Sequence, residues 1–215
     1  MTLVALSGSY GAGGGRIGPA VADRLGVPFV DRAIPMAVAS RLDVPLDDAA
    51  AHDEQATTTW VERVLRGFIG GDTGAATPLP AETFSAEDFR RATEEVLLEQ
   101  AASGEGVILG RGSVIVLREH PGVLRVRLDG PPQRRLQQAM RLEGLDEGSA
   151  ERALRQLDRT HAAYVKRFYD LELRDPSLYH LMIDSTTISL EACVELIVTA
   201  ARSLATRPVP KGTGG

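Results

Sequence analysis

The chain has 215 residues, which is enough for one substantial α/β domain with an inserted subdomain. Its 43% hydrophobic and 25% charged residues are ordinary for a globular protein and exclude a disordered chain or a disulfide-stabilised scaffold. A net charge of -5 argues against a general nucleic-acid binder. The absence of a basic N-terminal leader and of any apolar run of about 18 residues predicts a cytoplasmic protein without a membrane partner.

The N-terminal segment predicts a strand, a glycine-rich loop and a helix, in that order. Residues 3–7 form a short apolar run typical of a buried strand. The stretch SGSYGAGGGRIG then holds six of the 22 glycines of the chain. From its end onward, apolar residues recur at the spacing of one helix face, at Ile17 within the stretch and at Val21 and Leu25 beyond it.

The next segment predicts a second strand and a helical region. Residues 27–31 are a short strand that ends in an acid, and residues 33–42 offer a helix. A capping box formed by Thr59 and Glu62 begins a further helix with apolar residues on one face. Residues 70–83 mix Gly, Pro, Thr and Ala without periodicity, which predicts a loop or a crossing between subdomains.

Helices and strands alternate in the remainder of the chain. The predicted elements are a helix over 85–104, strands over 106–110 and 123–129, helices over 131–144 and 149–169, a strand over 179–184 and a helix over 189–204. The alternation in the strand over 123–129 puts Arg125 and Arg127 on one side of it. Cys193, the single cysteine, falls on the apolar side of the last helix, where we expect a buried thiol. From their sequence, residues 206–215 are predicted to be a disordered tail.

Short apolar strands that alternate with helices predict an α/β fold with a parallel sheet, right-handed crossovers and helices on both faces. Ligands of such sheets bind beyond the carboxyl ends of the strands. Gly8, Asp31, Arg111 and Asp129 each lie just past a predicted strand end. We therefore expect these four residues to converge on one crevice.

Two phosphate-binding patterns compete in the glycine-rich stretch. Gly13, Gly15 and Gly18 match G-x-G-x-x-G, and Asp31 lies near the spacing of the ribose-binding acid of a dinucleotide fold. In that fold, however, the first glycine follows the strand directly, whereas Gly13 does not directly follow the strand over residues 3–7. The pattern G-x-x-x-x-G-K-[ST] does begin at the strand end, with Gly8 and Gly13 at its two glycine positions. We favour this second pattern, and a dinucleotide-dependent oxidoreductase stays as the less favoured alternative.

Consecutive backbone N–H groups and the positive end of the following helix can surround a phosphate without any side chain. The predicted phosphate-binding loop consists of Gly8, Ser9, Tyr10, Gly11, Ala12, Gly13, Gly14 and Gly15. Gly14 stands at the lysine position of the pattern and Gly15 at the position of the metal-binding hydroxyl, so both side chains are absent. Arg16, one turn into the helix, is the candidate for the missing charge, and Ser9 or Tyr10 for the missing hydroxyl.

Taken together, residues 3–203 resemble the cytidylate kinase-like family within the nucleoside monophosphate kinases. The segments that carry the resemblance are SGSYGAGGGRIG, VPFVDR, ILGRGS, VRLDGPPQRRLQQ, LDRTHAAYVKRFYD and DPSLYHLMIDSTTISLE. Family loops of the form S-x-x-Y-G-S-G-G also commonly lack the lysine. The resemblance implies a P-loop core in a single domain over 1–205, a helical acceptor-binding region over about 32–104 and a basic lid over about 149–175.

The resemblance also implies roles for particular residues. Asp31 would begin the acceptor pocket, and Arg111 of GRGS would hold the phosphate of the acceptor. Arg159 and Arg167 would approach the transferring phosphoryl group. Arg16, chosen for its proximity to the loop and not from the resemblance, is the third candidate catalytic arginine. The lid of the family often reads D-x-x-R-x-x-Y, and this chain departs from it with His161 at the arginine position.

These expectations converge on ATP-dependent phosphoryl transfer to a nucleoside monophosphate, with CMP or dCMP as the expected acceptor. Magnesium would arrive with ATP and be held mainly by the nucleotide and water. The four histidines show no metal-ligand spacing, so no metal site is assigned to the protein itself. Because the lysine and the loop hydroxyl are missing, a catalytically weak nucleotide-binding regulatory module stays as the alternative function.

Overall fold

The computed structural model of the chain describes residues 2–30, 86–110 and 112–206. The predictions that concern Asp31, the capping-box helix, the segment over 70–83, Arg111 and the tail beyond residue 206 lie outside these residues. The described strands are β1 (Thr2–Gly8), β2 (Phe29–Val30), β3 (Glu105–Leu109), β4 (Val123–Asp129) and β5 (Leu181–Asp184). The described helices are α1 (Gly14–Leu25), α2 (Ala86–Ser103), α3 (Ser113–Val116), α4 (Pro132–Glu143), α5 (Glu147–Tyr169) and α6 (Leu190–Ala205).

The five strands form one parallel sheet in the order β2-β3-β1-β4-β5. Strand β1 lies at its centre, with Ser7 opposite Arg127 of β4 and Leu6 opposite Leu109 of β3. The segment that leaves β1 is therefore flanked by the carboxyl ends of two neighbouring strands. This arrangement confirms the predicted parallel α/β sheet and brings the glycine-rich stretch to the centre of its carboxyl edge.

Helices cover both faces of the sheet, as predicted. Successive residues of a strand point to opposite faces. Leu3 and Ala5 of β1 accordingly pack in a core with apolar residues of α2, α3 and α5, whereas Val4 and Leu6 pack in a core with those of α1 and α6. Cys193 is fully buried in the second core, which confirms the expected buried thiol.

Element boundaries depart from the sequence expectations where side chains cap the backbone. Helix α5 begins two residues before the predicted start, because the Asp146 carboxylate accepts a hydrogen bond from the Ser149 backbone N–H at 3.0 Å. Strand β5 is shorter than predicted, since residues Pro176–Leu178 form a turn of 3₁₀-helix capped by the Asp175 side chain. The short helix α3 had no sequence prediction. Among the described residues, no helix is long and apolar enough to cross a membrane.

Candidate functional site

The glycine-rich loop joins the end of β1 at Gly8 to the start of α1 at Gly14. Two of its residues, Gly11 and Gly13, have a φ of 78°, in the left-handed region that glycine adopts without steric cost. A Cβ atom on Gly11 would lie 2.3 Å from the backbone oxygen of Arg135, at the start of α4. Only glycine lets the loop approach α4 this closely.

Three consecutive carbonyl oxygens of the loop accept hydrogen bonds from outside it. Arg135 Nη1 donates to the Tyr10 carbonyl oxygen at 2.8 Å. Gln138 Nε2 donates to that of Gly11 at 3.0 Å, and Ser185 Oγ donates to that of Ala12 at 2.7 Å. Because the described peptide bonds are trans, the N–H that follows each carbonyl points to the opposite side of the chain. The amides of Gly11, Ala12 and Gly13 therefore point away from α4 and from the segment that follows β5.

Four amides of the loop and of the first turn of α1 have no hydrogen-bond acceptor within the described parts of the chain, namely those of Gly11, Gly13, Gly14 and Gly15. The last two belong to the first turn of α1, where helix N–H groups have no intrahelical partner and carry a partial positive charge. Adjacent unpartnered amides at a helix N-terminus form an anion-binding concavity. The loop thus has the geometry of a phosphate cradle built from backbone alone.

Arg135 is the largest fully buried side chain of the described residues, and it lies directly behind the loop. Besides the Tyr10 carbonyl, its guanidinium donates to the Gly130 carbonyl oxygen at 2.9 Å. It also forms a two-pronged ion pair with Asp158 of α5, with N–O distances of 2.7 and 3.1 Å. One arginine therefore connects the loop, the start of α4 and helix α5.

Arg127 of β4 lies under the other end of the loop and is 3% exposed. Its guanidinium donates to Ser7 Oγ at 2.8 Å and to Ser9 Oγ at 2.7 Å, and it lies 3.3 Å from Asp129 Oδ2. Burial raises the pKa of the Asp129 carboxyl, but Arg127, the Gly130 amide and the Ser9 hydroxyl together hold that pKa below its usual value. Asp129 is therefore ionised at neutral pH and balances the buried arginine.

The hydroxyls proposed from the sequence as replacements for the missing one have other partners. Ser9 Oγ accepts from Arg127, and the Tyr10 hydroxyl donates to Glu143 Oε2 at 2.7 Å. Within the described residues, no group of three His, Cys, Asp or Glu side chains could hold a metal ion.

The structure does not bring the three predicted arginines together at the loop. Arg16 is exposed and lines a cavity of about 170 Å³ between α1 and α6, together with Arg24 and Glu191. Arg159 and Arg167 are exposed on α5. Asp158 faces the loop instead, and Arg167 lies on the opposite side of the helix, because nine residues make about two and a half turns.

Sequence reasoning missed the residues that hold the loop. Two signals for them were present: Arg127 interrupts an apolar strand pattern, and Asp158 occupies the acidic position of the lid motif. A charged residue in such a strand is expected to be paired when buried. Gln138 and Ser185 have no comparable signal, since both are ordinary polar residues that meet the loop only through the fold.

A family model described as the cytidylate kinase-like family matches residues 3–187, most of the chain. The chain belongs to this family. The resemblance inferred from the glycine loop and the downstream motifs is therefore confirmed.

Among curated proteins, the chain is similar to the uronate isomerase of Corynebacterium glutamicum, with 30% identity over 157 residues. The match covers 71% of this chain, which spans only 29% of that protein.

Solved structures confirm the fold. An uncharacterized protein from Eubacterium ventriosum superposes with a TM-score of 0.64 at 15% identity, covering 96% of this chain and 100% of that one. A gluconokinase from Sinorhizobium meliloti gives 0.52 at 17% identity, covering 95% and 93%. A shikimate kinase from Acinetobacter baumannii, in complex with shikimate, gives 0.50 at 19%, covering 96% of each chain. At 15–19% identity, these structures show the fold of the chain.

Proposed function

We propose that the protein transfers the γ-phosphoryl group of ATP to a nucleoside monophosphate, with CMP or dCMP as the acceptor. The observation that carries this proposal is the set of unpartnered amides at Gly11, Gly13, Gly14 and Gly15, at the centre of the carboxyl edge of the sheet. In the reaction, an oxygen of the acceptor phosphate bonds to the γ-phosphorus while the bond to the β-phosphate oxygen breaks, which leaves ADP. Such a transfer needs alignment and charge neutralisation more than a strong base.

The residues present fit the phosphates of ATP, because several amide donors converge where no side chain fills the space. A Cβ atom on Gly15 would have nothing within 4 Å, which leaves the mouth of the loop open. Magnesium bound with ATP would neutralise phosphate charge, and we propose that the nucleotide and water supply most of its ligands. The protein contributes the amide donors and keeps the carbonyl oxygens of the loop directed away from the phosphates.

We propose Asp31 and Arg111 as acceptor-binding residues, on the basis of the family motifs that they match. Arg16, Arg159 and Arg167 are proposed to neutralise charge on the transferring group. In support, Arg159 and Arg167 are exposed in the free protein, so neither guanidinium is committed to the core. Arg159 is adjacent to Asp158, which attaches α5 to the back of the loop, whereas Arg167 lies on the other side of α5 and is proposed from the resemblance alone.

The test is the release of ADP from Mg-ATP with and without each of a panel of nucleoside and small-molecule acceptors. The proposal requires acceptor-dependent ADP release that is greatest with CMP or dCMP. Arg159→Ala and Arg167→Ala should each lower kcat by at least about tenfold. In related systems, one well-placed arginine raises kcat by a factor of about 10³ or more. Arg155→Ala is the matched control, because Arg155 is an exposed arginine of the same helix and, among the described residues, pairs with Glu151. Equal effects of all three substitutions would overturn the roles of Arg159 and Arg167.

A second candidate function is a nucleotide-binding regulatory module with little turnover. The specific observation in its favour is that Gly14 and Gly15 occupy the lysine and hydroxyl positions of the loop. Calorimetry separates the two functions: a module binds ATP or ADP with measurable heat but releases no ADP with any acceptor. A kinase shows both.

The sheet order argues against the dinucleotide-dependent oxidoreductase. In a dinucleotide-binding fold the strand that carries the ribose-binding acid lies beside the first strand. Here β3 lies between β1 and β2, so β2 lies about 10 Å from β1, at about 4.8 Å per strand. NADH titration followed by fluorescence should show no binding.

A further inference from the structure

Two arginines and two aspartates form a continuous chain of charges behind the glycine loop, in the order Asp158, Arg135, Asp129 and Arg127. Arg135 pairs with Asp158 at 2.7 Å, and its Nε lies 3.5 Å from Asp129 Oδ1. The other oxygen of Asp129 lies 3.3 Å from Arg127. The chain touches the loop twice, at the Ser9 hydroxyl through Arg127 and at the Tyr10 carbonyl oxygen through Arg135.

Stability alone does not account for this chain of charges. Its arginine side chains are 4% and 1% exposed, and buried ion pairs often contribute no more than apolar residues of similar volume. In addition, the buried Nε of Arg127 has no hydrogen-bond partner among the residues that the structure describes. An unsatisfied buried N–H costs about 1–3 kcal/mol, which an apolar residue at this position would avoid. The groups therefore have a use other than packing.

That use follows from the freedom of the loop backbone. Glycine adopts positive and negative φ about equally well, so Gly11 does not by itself decide which way the Tyr10–Gly11 peptide faces. If this peptide turned over, the Tyr10 carbonyl oxygen would point to the side where the phosphate binds and would repel it. The hydrogen bond from Arg135 Nη1 keeps the carbonyl on the far side and leaves the Gly11 amide for the anion.

We propose that Arg127 and Arg135 are positioning residues that hold the loop in its phosphate-binding conformation, and that Asp158 transmits the position of helix α5 to the loop through Arg135. This inference rests on the proposed function, since the anion received is the phosphate chain of a nucleotide. The two arginines would thus compensate for the absent lysine by holding the loop backbone in place. Substitution of either arginine should therefore change the affinity for the nucleotide and not the affinity for the acceptor.

The test compares Asp158→Asn, Arg135→Lys and the double variant with the wild-type protein. Mg-ATP and Mg-ADP affinities are measured by calorimetry, and hydrogen exchange is followed in peptides that cover residues 8–18. Each single substitution should weaken nucleotide affinity by about tenfold, as expected for loss of one hydrogen bond to a charged group. The double variant should be no weaker than Arg135→Lys, because Asp158 acts through Arg135. Loop amides should exchange faster in all three variants.

Arg125→Lys is the matched control, because Arg125 lies on the same strand as Arg127. Its guanidinium also holds backbone, donating to the Leu178 and Arg118 carbonyl oxygens at 2.8 Å, but it does not touch the loop. This variant should keep wild-type nucleotide affinity. In all variants the KM for the acceptor should stay unchanged, which a general loss of structure would not allow.

Wild-type affinity and loop exchange in Asp158→Asn and Arg135→Lys would overturn the inference, as would additive effects in the double variant. If Arg135→Lys does not fold, Asp158→Asn decides alone, since it changes only a side chain that is 31% exposed. If the wild-type protein binds no nucleotide, the proposed function fails. Hydrogen exchange in the free variants then still decides whether Asp158 and Arg135 hold the loop.

Discussion

Replacing Gly11 by alanine is the sharpest perturbation of the proposed phosphate cradle. An L-residue in the left-handed region costs about 1–2 kcal/mol. The new Cβ atom would also lie 2.3 Å from the Arg135 carbonyl oxygen and 2.8 Å from its carbon, both of them backbone atoms. Ordinary contact begins at 3.4 Å, so the loop and α4 must separate by about 1 Å. We expect nucleotide affinity to fall by about ten- to a hundredfold, because losing one amide hydrogen bond to a charged phosphate costs about 1.5–3 kcal/mol.

The matched control is Gly26→Ala at the other end of α1. Gly26 also has a positive φ, of 69°, but a Cβ atom there would have nothing within 4 Å. It should lose the same 1–2 kcal/mol of stability, which lowers Tm by roughly 2–8 °C in a chain of this size, and should keep wild-type nucleotide affinity. Calorimetry with Mg-ADP and thermal unfolding measure the two quantities. Wild-type affinity in Gly11→Ala would refute the argument that close contact with α4 sets the loop.

Four further predictions concern the loop, the buried charges and the thiol. Gly15→Ser should leave unfolding free energy within about 0.5 kcal/mol of wild type and raise Mg-dependent turnover, because the site has room for a hydroxyl. Gly14→Lys should also raise turnover once Leu109, 3.1 Å from the new Cβ, gives way, and a fall would mean that the glycine geometry is itself used. Because the folded-state pKa of Asp129 is lowered, the ionised carboxylate stabilises the protein at neutral pH, and this contribution is lost as the pH falls below about 4. The free energies of unfolding of wild type and Asp129→Asn, measured in urea, should therefore converge on acidification. Burial raises the pKa of the Cys193 thiol, so this thiol should react with a disulfide reagent only as fast as the protein unfolds. Fast reaction of the native protein would contradict the burial of Cys193.

The sequence alone determined the features that depend on neighbouring residues. Apolar periodicity located β4 at 123–129 and the helix now seen as α6, since burial of one face imposes a spacing on the chain itself. The run of glycines located the loop that we propose binds phosphate, because backbone that must adopt positive φ and approach other backbone closely has to be glycine. The family resemblance came from the same local motifs.

Only the tertiary structure decided what stands behind the loop. Arg135 meets Tyr10 across 125 residues of chain and Asp158 across 23, and Ser185 reaches Ala12 across 173. No local pattern encodes such pairs, because they depend on the strand order β2-β3-β1-β4-β5 and on how α4 and α5 pack after the strands have formed. Sequence reasoning accordingly selected exposed arginines of α5, whereas the fold turned the aspartate beside them toward the loop.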